Sequence, residues 1–354
     1  MPDLVAVIIA DDLTGALDSS VPFATLGFNS VAAVLPEGVP LALASGAEVV
    51  AVNLGTRELG PDVAFARAAE AARVVHRFAG PKTIWLKKID SRMKGNIGAE
   101  AAGVASVVNP ARVVLCPAIP ELGRFVRNGR LEGHGVAAPI SVTLSPADLP
   151  TEIPDAETDA DLDRLVRNAD PRCLFVGARG LAAALARWLG RDRRPLPAPD
   201  LQGPLGFAVG SRDPITLAQV AGLRAADGLR WIAAPDGLVP SAPVPGPVLV
   251  QATPGSGATG AVVADRLAQG MLAHLSGLGT LVLTGGETAA ALLRAANIGH
   301  LRLKGEILPG LPLCLAPDKP GFPALVTKSG GFGPPDTLLR LWQAARSPEG
   351  LSCP

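Results

Sequence analysis

Residues 5–10 of the chain, Val-Ala-Val-Ile-Ile-Ala, form an unbroken apolar run. It stops on two adjacent carboxylates, Asp11 and Asp12, and continues as Leu13, Thr14 and Gly15. An apolar run this short, ended by charge and then by helix-starting residues, reads as a strand buried on both faces that turns tightly into a helix. That combination belongs to α/β proteins, in which helices cover both sides of a parallel sheet. Ligands in such sheets bind at the carboxyl ends of the strands, so the Asp pair is the first place to look for chemistry. The structural alternative is that Asp12 or Thr14 caps the helix that follows.

The remaining pattern agrees with that start. Helices are expected at 16–26, 61–78 and 97–107, and strands at 30–35, 48–53, 83–87 and 112–116. The alternation predicts βαβ units and a parallel sheet. Residues 139–154 read as extended and turn-rich, 155–168 and 181–189 as helices, and 172–177 as a strand. Residues 192–199 then combine charge with three prolines, a linker signal. Beyond it the rhythm restarts, with strands at 205–209, 229–233, 247–252 and 280–283. Helices are expected there at 214–225, 259–275 and 288–297. Short strands follow at 301–304, 312–315 and 324–327, and a last helix at 337–345. The fold class read from this is α/β with two domains, 1–199 and 200–354. Each is a mostly parallel sheet flanked by helices, and the active site is expected in the cleft between them.

Composition excludes several classes. The 354 residues carry 32 basic and 32 acidic side chains, so the chain lacks the positive footprint of a nucleic-acid or anionic-membrane binder. No apolar run approaches the ~20 residues of a membrane span, and the first strand lacks the basic flank of a signal peptide. Cys116, Cys173, Cys314 and Cys353 are scattered, with no C-x-x-C, and read as reduced cytoplasmic thiols. The four His are equally dispersed, which argues against a structural zinc site. Lys occurs seven times against 25 Arg, so each Lys is informative. Lys87, Lys88 and Lys94 form one group and Lys304 and Lys328 another, while Lys82 and Lys319 read as solvated surface.

Two loops of the first half follow expected strands and carry charge. Residues 87–96 hold Lys87, Lys88, Asp90, Ser91, Arg92, Lys94, Gly95 and Asn96. They are suited to walling an anionic substrate, because a carboxylate is best held by Arg, Lys and helix-terminal N–H groups. Residues 116–130 read as a long strand-end loop in which Arg124 and Asn128 are the choices for substrate contact, with Arg127 and Arg130 at the surface. In the second half no P-loop occurs. Gly255 to Gly260 matches G-x-G-x-x-G but lacks the acidic residue some 20 positions on, so it reads as a turn and helix start. Three other loops suit a phosphate chain: Gly210-Ser211-Arg212-Asp213, Thr284-Gly285-Gly286-Glu287-Thr288 and Lys328-Ser329-Gly330-Gly331-Phe332-Gly333.

Taken in order, these motifs resemble the four-carbon acid sugar kinases. The match runs from Ala10-Asp11-Asp12-Leu13-Thr14-Gly15-Ala16 through Lys88-Ile89-Asp90-Ser91 with Gly95-Asn96, Pro117 to Gly129, Gly210-Ser211, Gly285 to Thr288 and Lys328 to Gly333. The resemblance implies an N-terminal substrate domain, a C-terminal nucleotide domain, and ATP with Mg²⁺ as cofactors. It also implies that Asp11, Asp12, Asp90, Lys94 and Arg124 face the sugar acid, and the charged loops add Arg92 and Asn128 as candidates for substrate contact. Ser211, Gly285, Gly286, Glu287, Thr288, Gly330 and Gly331 would surround the nucleotide. The family commonly reads Asp-Ser-Thr-Leu-Arg-Gly-Asn where this chain has Asp90 to Asn96, and Gly-Ser-x-Ser where it has Asp213 in fourth place.

The reaction expected is in-line phosphoryl transfer to a hydroxyl of threonate, erythronate or a 3-oxo-tetronate. Asp12 would act as base and Asp11 as its assistant, Lys94 and Arg124 would hold the carboxylate, and the helix starts at Ser211 and Thr288 would meet phosphate oxygens. The partners are then small molecules, with no nucleic acid or membrane, and a homodimer is left open. No metal ligand is assigned. Two other readings remain: a non-catalytic sensor on a degenerate kinase scaffold, and a phosphatase with an Asp nucleophile, which would want Asp-x-Asp rather than adjacent carboxylates.

Overall fold

The computed structural model describes residues 3–346 apart from 146–148, 171, 241, 243 and 244. Cys353 lies outside the described residues. The chain divides into two compact units, Met1–Leu196 and Pro197–Pro354.

Unit 1 runs β1 (Leu4–Ala10), α1 (Leu13–Thr25), β2 (Ser30–Ala33), α2 (Val39–Ala44), β3 (Val49–Asn53), α3 (Pro61–His76), β4 (Ala79–Lys88), α4 (Ile97–Val108) and β5 (Val113–Cys116). Then come β6 (Arg124–Arg127), β7 (Arg130–Gly133), β8 (Ile140–Ser141), β9 (Thr151–Glu152), α5 (Asp159–Asn168), β10 (Leu174–Gly177) and α6 (Arg179–Leu189). Its main sheet has the order β2-β3-β1-β4-β10-β5-β9, and these pairings are parallel. β1 lies inside the sheet between β3 and β4, with Val7, Ile8, Ile9 and Ala10 fully buried. Strands 2 and 3 lie on one side of β1, and strand 4 lies on the other. The chain therefore reverses direction across the sheet between β1 and β4, which leaves a crevice at their carboxyl ends.

Unit 2 continues with β11 (Leu205–Val209), α7 (Pro214–Leu223), β12 (Arg230–Pro235), β13 (Val248–Thr253), α8 (Gly260–Leu272), β14 (Thr280–Thr284) and α9 (Gly286–Ala295). It ends with β15 (His300–Leu308), β16 (Leu311–Leu315), β17 (Ala324–Lys328) and α10 (Thr337–Ala344). Its strand order is β12-β13-β11-β14-β17-β16-β15. The first five strands are parallel, while β16 runs antiparallel to β15 and β17. Phe207, Leu249, Val282, Val326, Leu338 and Leu341 form a core in which none is solvent-exposed. Here too the order reverses at the central strand, between β11 and β14.

The elements differ from the expected ones in three places. Residues 117–130 do not form a long loop. β6 and β7 pair as an antiparallel hairpin with β8 added at its edge. Buried Val126 and Leu131 beside exposed Arg127 and Arg130 support that hairpin, and Asn128 at φ +50° with Gly129 at φ +67° supplies the two-residue turn. Residues 36–44, for which the sequence pattern assigns no element, form a 3-10 turn and α2. β15 is a nine-residue strand rather than a short one, because its alternation of buried and half-exposed side chains suits an antiparallel partner.

Candidate active site

In unit 1 the Asp pair stands where β1 ends. Asp12 is the N-cap of α1: its Oδ1 accepts from the Gly15 N–H at 2.7 Å and its Oδ2 from the Thr14 hydroxyl at 2.9 Å. The structural role foreseen for Asp12 is therefore present. It leaves the side chain partly accessible, at 21% exposure. Asp11 is buried. Its Oδ2 accepts from Arg57 Nε at 2.7 Å, and its Oδ1 has no hydrogen-bond partner among the described residues.

Arg57 joins the two carboxylates, since its Nη1 donates to Asp12 Oδ2 at 2.7 Å. Its Nη2 lies 4.0 Å from Asp90 Oδ2. Burial would weaken this cation, but Asp12 and Asp11 beside it raise its pKa above the ordinary value, so it stays charged. Burial alone would also push the Asp11 carboxyl up. The charges of Lys87, Arg57 and Lys88, with the Arg57 hydrogen bond, hold it below its ordinary value instead. Sequence reasoning missed Arg57. It sits on the loop after β3, four residues past the strand, and following that strand to its carboxyl end would have found it.

The loop after β4 comes to the same place. Asp90 accepts from the Arg92 N–H at 2.9 Å, and Lys94 Nζ is 3.9 Å from its other oxygen. The Lys94 side chain is 55% exposed and free to swing onto a ligand. Arg124, at the start of β6, donates from Nη1 to Ser91 Oγ at 2.7 Å and from Nε to the His134 carbonyl at 2.8 Å. Burial first, and then the Arg92 charge, lower the Arg124 pKa, while Asp90 opposes them. Two like charges facing one another in this way suit an anion. Asn128 is not brought to this cluster. It lies at the exposed hairpin tip, four residues along β6 from Arg124, or ~13 Å at the strand rise.

Lys87 and Lys88 correct a second expectation. They are not part of a solvent-facing wall, because both are buried as the last residues of β4. Lys87 Nζ pairs with Glu100 Oε2 of α4 at 2.8 Å, and neither side chain is more than 1% exposed. Lys88 Nζ donates to the Ile89 carbonyl at 2.8 Å.

In unit 2 the three glycine loops follow β11, β14 and β17, which are neighbours in the sheet. A Cβ built on Gly330 would fall 2.7 Å from Ser211 Oγ and 3.0 Å from Asp213 Cβ. One built on Gly285 would lie 3.5 Å from the Ser211 main-chain nitrogen. The loops thus meet, and the glycines leave a cradle that side chains would fill. α9 begins with Gly285 as N-cap and no side chain bonded to its first N–H groups, an arrangement suited to an anion. Gly286, Glu287 and Gly331 line the same loops, with Glu287 and Gly331 exposed. Thr288 is buried, and a Cβ on Gly210 would collide with its hydroxyl. The Thr288 side chain is therefore packed inside, and what the start of this helix offers an anion is its main-chain N–H groups. Asp213 caps α7, accepting from the Ile215 N–H at 2.9 Å, which accounts for a carboxylate at that position.

Lys328 is fully buried beneath these loops. It donates to Thr216 Oγ1 at 3.0 Å, the Ser329 carbonyl at 3.0 Å and the Gly330 carbonyl at 3.1 Å. Burial pushes it down to about 8, against the pull of Asp213. The G-x-G-x-x-G stretch has a different use. Asp236 Oδ2 accepts from the Ser256 N–H at 2.5 Å, its hydroxyl at 2.8 Å and the Gly257 N–H at 3.2 Å. A carboxylate of the chain itself thus occupies those donors.

The two halves of the chain match two different family models. Residues 6–147 match the family model of a sugar-binding N-terminal domain, and residues 248–338 that of a nucleotide-binding C-terminal domain. The D-threonate kinase of Cupriavidus necator is 32% identical, covering 96% of this chain and 97% of the relative. The D-threonate kinase of Bordetella bronchiseptica is also 32% identical, with the same coverage. The 3-oxo-tetronate kinase of Methylobacterium radiotolerans is 28% identical over 94% of this chain and 97% of the relative. Solved structures from Salmonella typhimurium LT2 (TM-score 0.71, 20% identity, 98% and 100% coverage) and Haemophilus influenzae (TM-score 0.68, 18% identity, 96% and 99% coverage) share the fold. With these relatives aligned over nearly its whole length, and with an Asp pair at one sheet edge and a glycine cradle at another, the chain belongs to the four-carbon acid sugar kinase family.

Proposed function

We propose that the protein transfers the γ-phosphoryl group of ATP to a hydroxyl of a four-carbon sugar acid of the threonate, erythronate or 3-oxo-tetronate type. The observation that carries this reading is the Asp12 carboxylate. It is partly accessible at the end of β1, aimed by Gly15, Thr14 and Arg57, and set beside a cationic loop. Asp12 accepts the proton of the attacking hydroxyl. Asp11, too buried to reach a substrate, holds Arg57 in place and stays ionised as its counter-charge. Arg124, Arg92 and Lys94 take the acid's carboxylate, and Asp90 orders their loop through the Arg92 and Lys94 N–H groups.

Ser211, Gly285, Gly286, Glu287, Gly330 and Gly331, with the main chain at Thr288, hold the nucleotide, which supplies the phosphoryl group when bound. No group of three or more His, Cys, Asp or Glu among the described residues is arranged to hold a metal. Mg²⁺ would accompany the nucleotide, carried on its phosphates. Catalysis then rests on positioning and charge rather than on a covalent intermediate.

The test is ADP release with D- and L-threonate, D- and L-erythronate and the 3-oxo acids, each with and without Mg²⁺. Turnover of at least one acid is expected, and the product NMR spectrum reads out which hydroxyl is modified. Silence across the whole panel would overturn the substrate class. A second expectation concerns the cradle. Gly330→Ala drives a methyl group into Ser211 and Asp213, displacing loops whose placement at the ångström scale governs rate. Its KM for ATP should rise ~10–100-fold while the KM for the acid holds, as steady-state kinetics with each substrate varied in turn will show.

A further inference from the structure

Glu100 has no part in the chemistry above, yet among the described residues of unit 1 it is the most deeply buried carboxylate, at 1% exposure. Its two oxygens face different partners. Oε2 takes Lys87 Nζ at 2.8 Å, and Oε1 takes the Thr56 hydroxyl at 2.5 Å. Thr56 immediately precedes Arg57 and is itself buried. Its N–H donates to the Asp11 carbonyl at 3.0 Å, and its carbonyl accepts from Asn96 Nδ2 at 3.1 Å. Asn96 also donates to the Leu59 carbonyl at 2.8 Å, so the loop 56–59 is pinned from α4 at both ends. Lys87 also donates to the Lys88 carbonyl at 2.5 Å.

We propose that Glu100 and Thr56 are positioning residues for the acceptor site: the α4 carboxylate holds the Thr56 hydroxyl and thereby fixes where Arg57 meets Asp11 and Asp12. The physical reason lies in the length of Arg. A guanidinium on a four-bond stem samples many rotamers, and ordering it costs side-chain entropy. Bridging two carboxylates at 2.7 Å each requires its backbone to be placed first. Thr56 sits one peptide away and is tied to the end of β1 through its N–H and to α4 through its hydroxyl. A buried hydroxyl and carboxylate pair exclude water, so the link is directional and stiff. A buried ion pair is weak evidence for stability. A pair with a third partner reaching the site has a second use.

This inference rests on the proposed catalytic reading, and its test separates the two. Thr56→Val, Thr56→Ser, Glu100→Gln and, as a control, Asp12→Asn are assayed with the four-carbon acid that the wild type turns over fastest, with thermal midpoints measured alongside. Thr56→Val removes one hydroxyl and leaves the Lys87–Glu100 pair intact, so it reports even where Glu100→Gln fails to fold. The expected result is a kcat at least ~10-fold lower in Thr56→Val, the KM for ATP held within about twofold, and recovery to within about threefold in Thr56→Ser, which keeps the hydroxyl. Wild-type kcat in Thr56→Val, with only the midpoint lowered, would reduce the network to a stability element and overturn the proposal. Equal losses in Thr56→Val and Thr56→Ser would overturn it as well, because the hydroxyl would then not be the link. Full turnover by Asp12→Asn, alongside a slow Thr56→Val and a recovered Thr56→Ser, would remove the base assignment and leave the Thr56 link standing.

Discussion

Asp12→Asn should lower kcat/KM by ~10²–10⁴-fold, the range for removal of a general base, with little change in thermal stability. Asn is as good an N-cap as Asp, so its side-chain oxygen can still accept from the Gly15 N–H that Asp12 now holds at 2.7 Å. The fold of α1 is therefore spared. What is lost is the carboxylate that takes the hydroxyl proton, together with one of the three carboxylates facing Arg57. An ADP-release assay paired with a thermal melt reads both quantities on one sample. A variant that melts like the wild type and turns over like it would sink the assignment. Asp11→Asn would give a less direct answer, because Asp11 is buried and a loss of rate there mixes chemistry with displacement of Arg57.

Lys87→Met should destabilise unit 1 by about 3–5 kcal/mol, the penalty for leaving one partner of a buried ion pair unmatched. Glu100 has no route to solvent at 1% exposure, and the Thr56 hydroxyl alone does not neutralise it. Lys87→Met/Glu100→Leu should recover most of that loss, because apolar replacement of both partners removes the uncompensated charge and keeps the volume. Urea denaturation followed by circular dichroism measures the two. Equal losses in the single and double variants would mean that Lys87 contributes through packing of its stem rather than through its charge. Because removing this cation also strips Asp11 of its largest opposite-charge support, both variants should lose activity even where the double variant is stable.

The fold was legible because its signals are local. β1 needs only an apolar run and a stop, and α3 only its Ala-rich periodicity. The linker needs three prolines, and the two α/β units follow from the alternation. The hairpin β6–β7 was not legible as such, although Asn128-Gly129 is a strong turn signal. The three Arg around it give the same stretch the composition of an anion-binding loop. Asn128 shows how a residue chosen for its hydrogen-bonding groups can be held instead by its tolerance of a positive φ.

What the sequence determined by itself was the inventory at the strand ends: Asp11 and Asp12 after β1, Asp90 to Lys94 after β4, and the glycine loops after β11, β14 and β17. Those positions follow from chain order, since a strand and the residue behind it are neighbours in any fold. What only the tertiary structure decided was which charges meet. Arg57 lies 46 residues from Asp11 along the chain, and Thr56 lies 44 from Glu100. Such pairings depend on strand order, because β3 and β4 flank β1 on opposite sides. Lys87 and Lys94 are both cations in one stretch of sequence, but one is sealed against a helix and the other is open to solvent. Burial sorts them, and burial is a property of the packed sheet rather than of the residue.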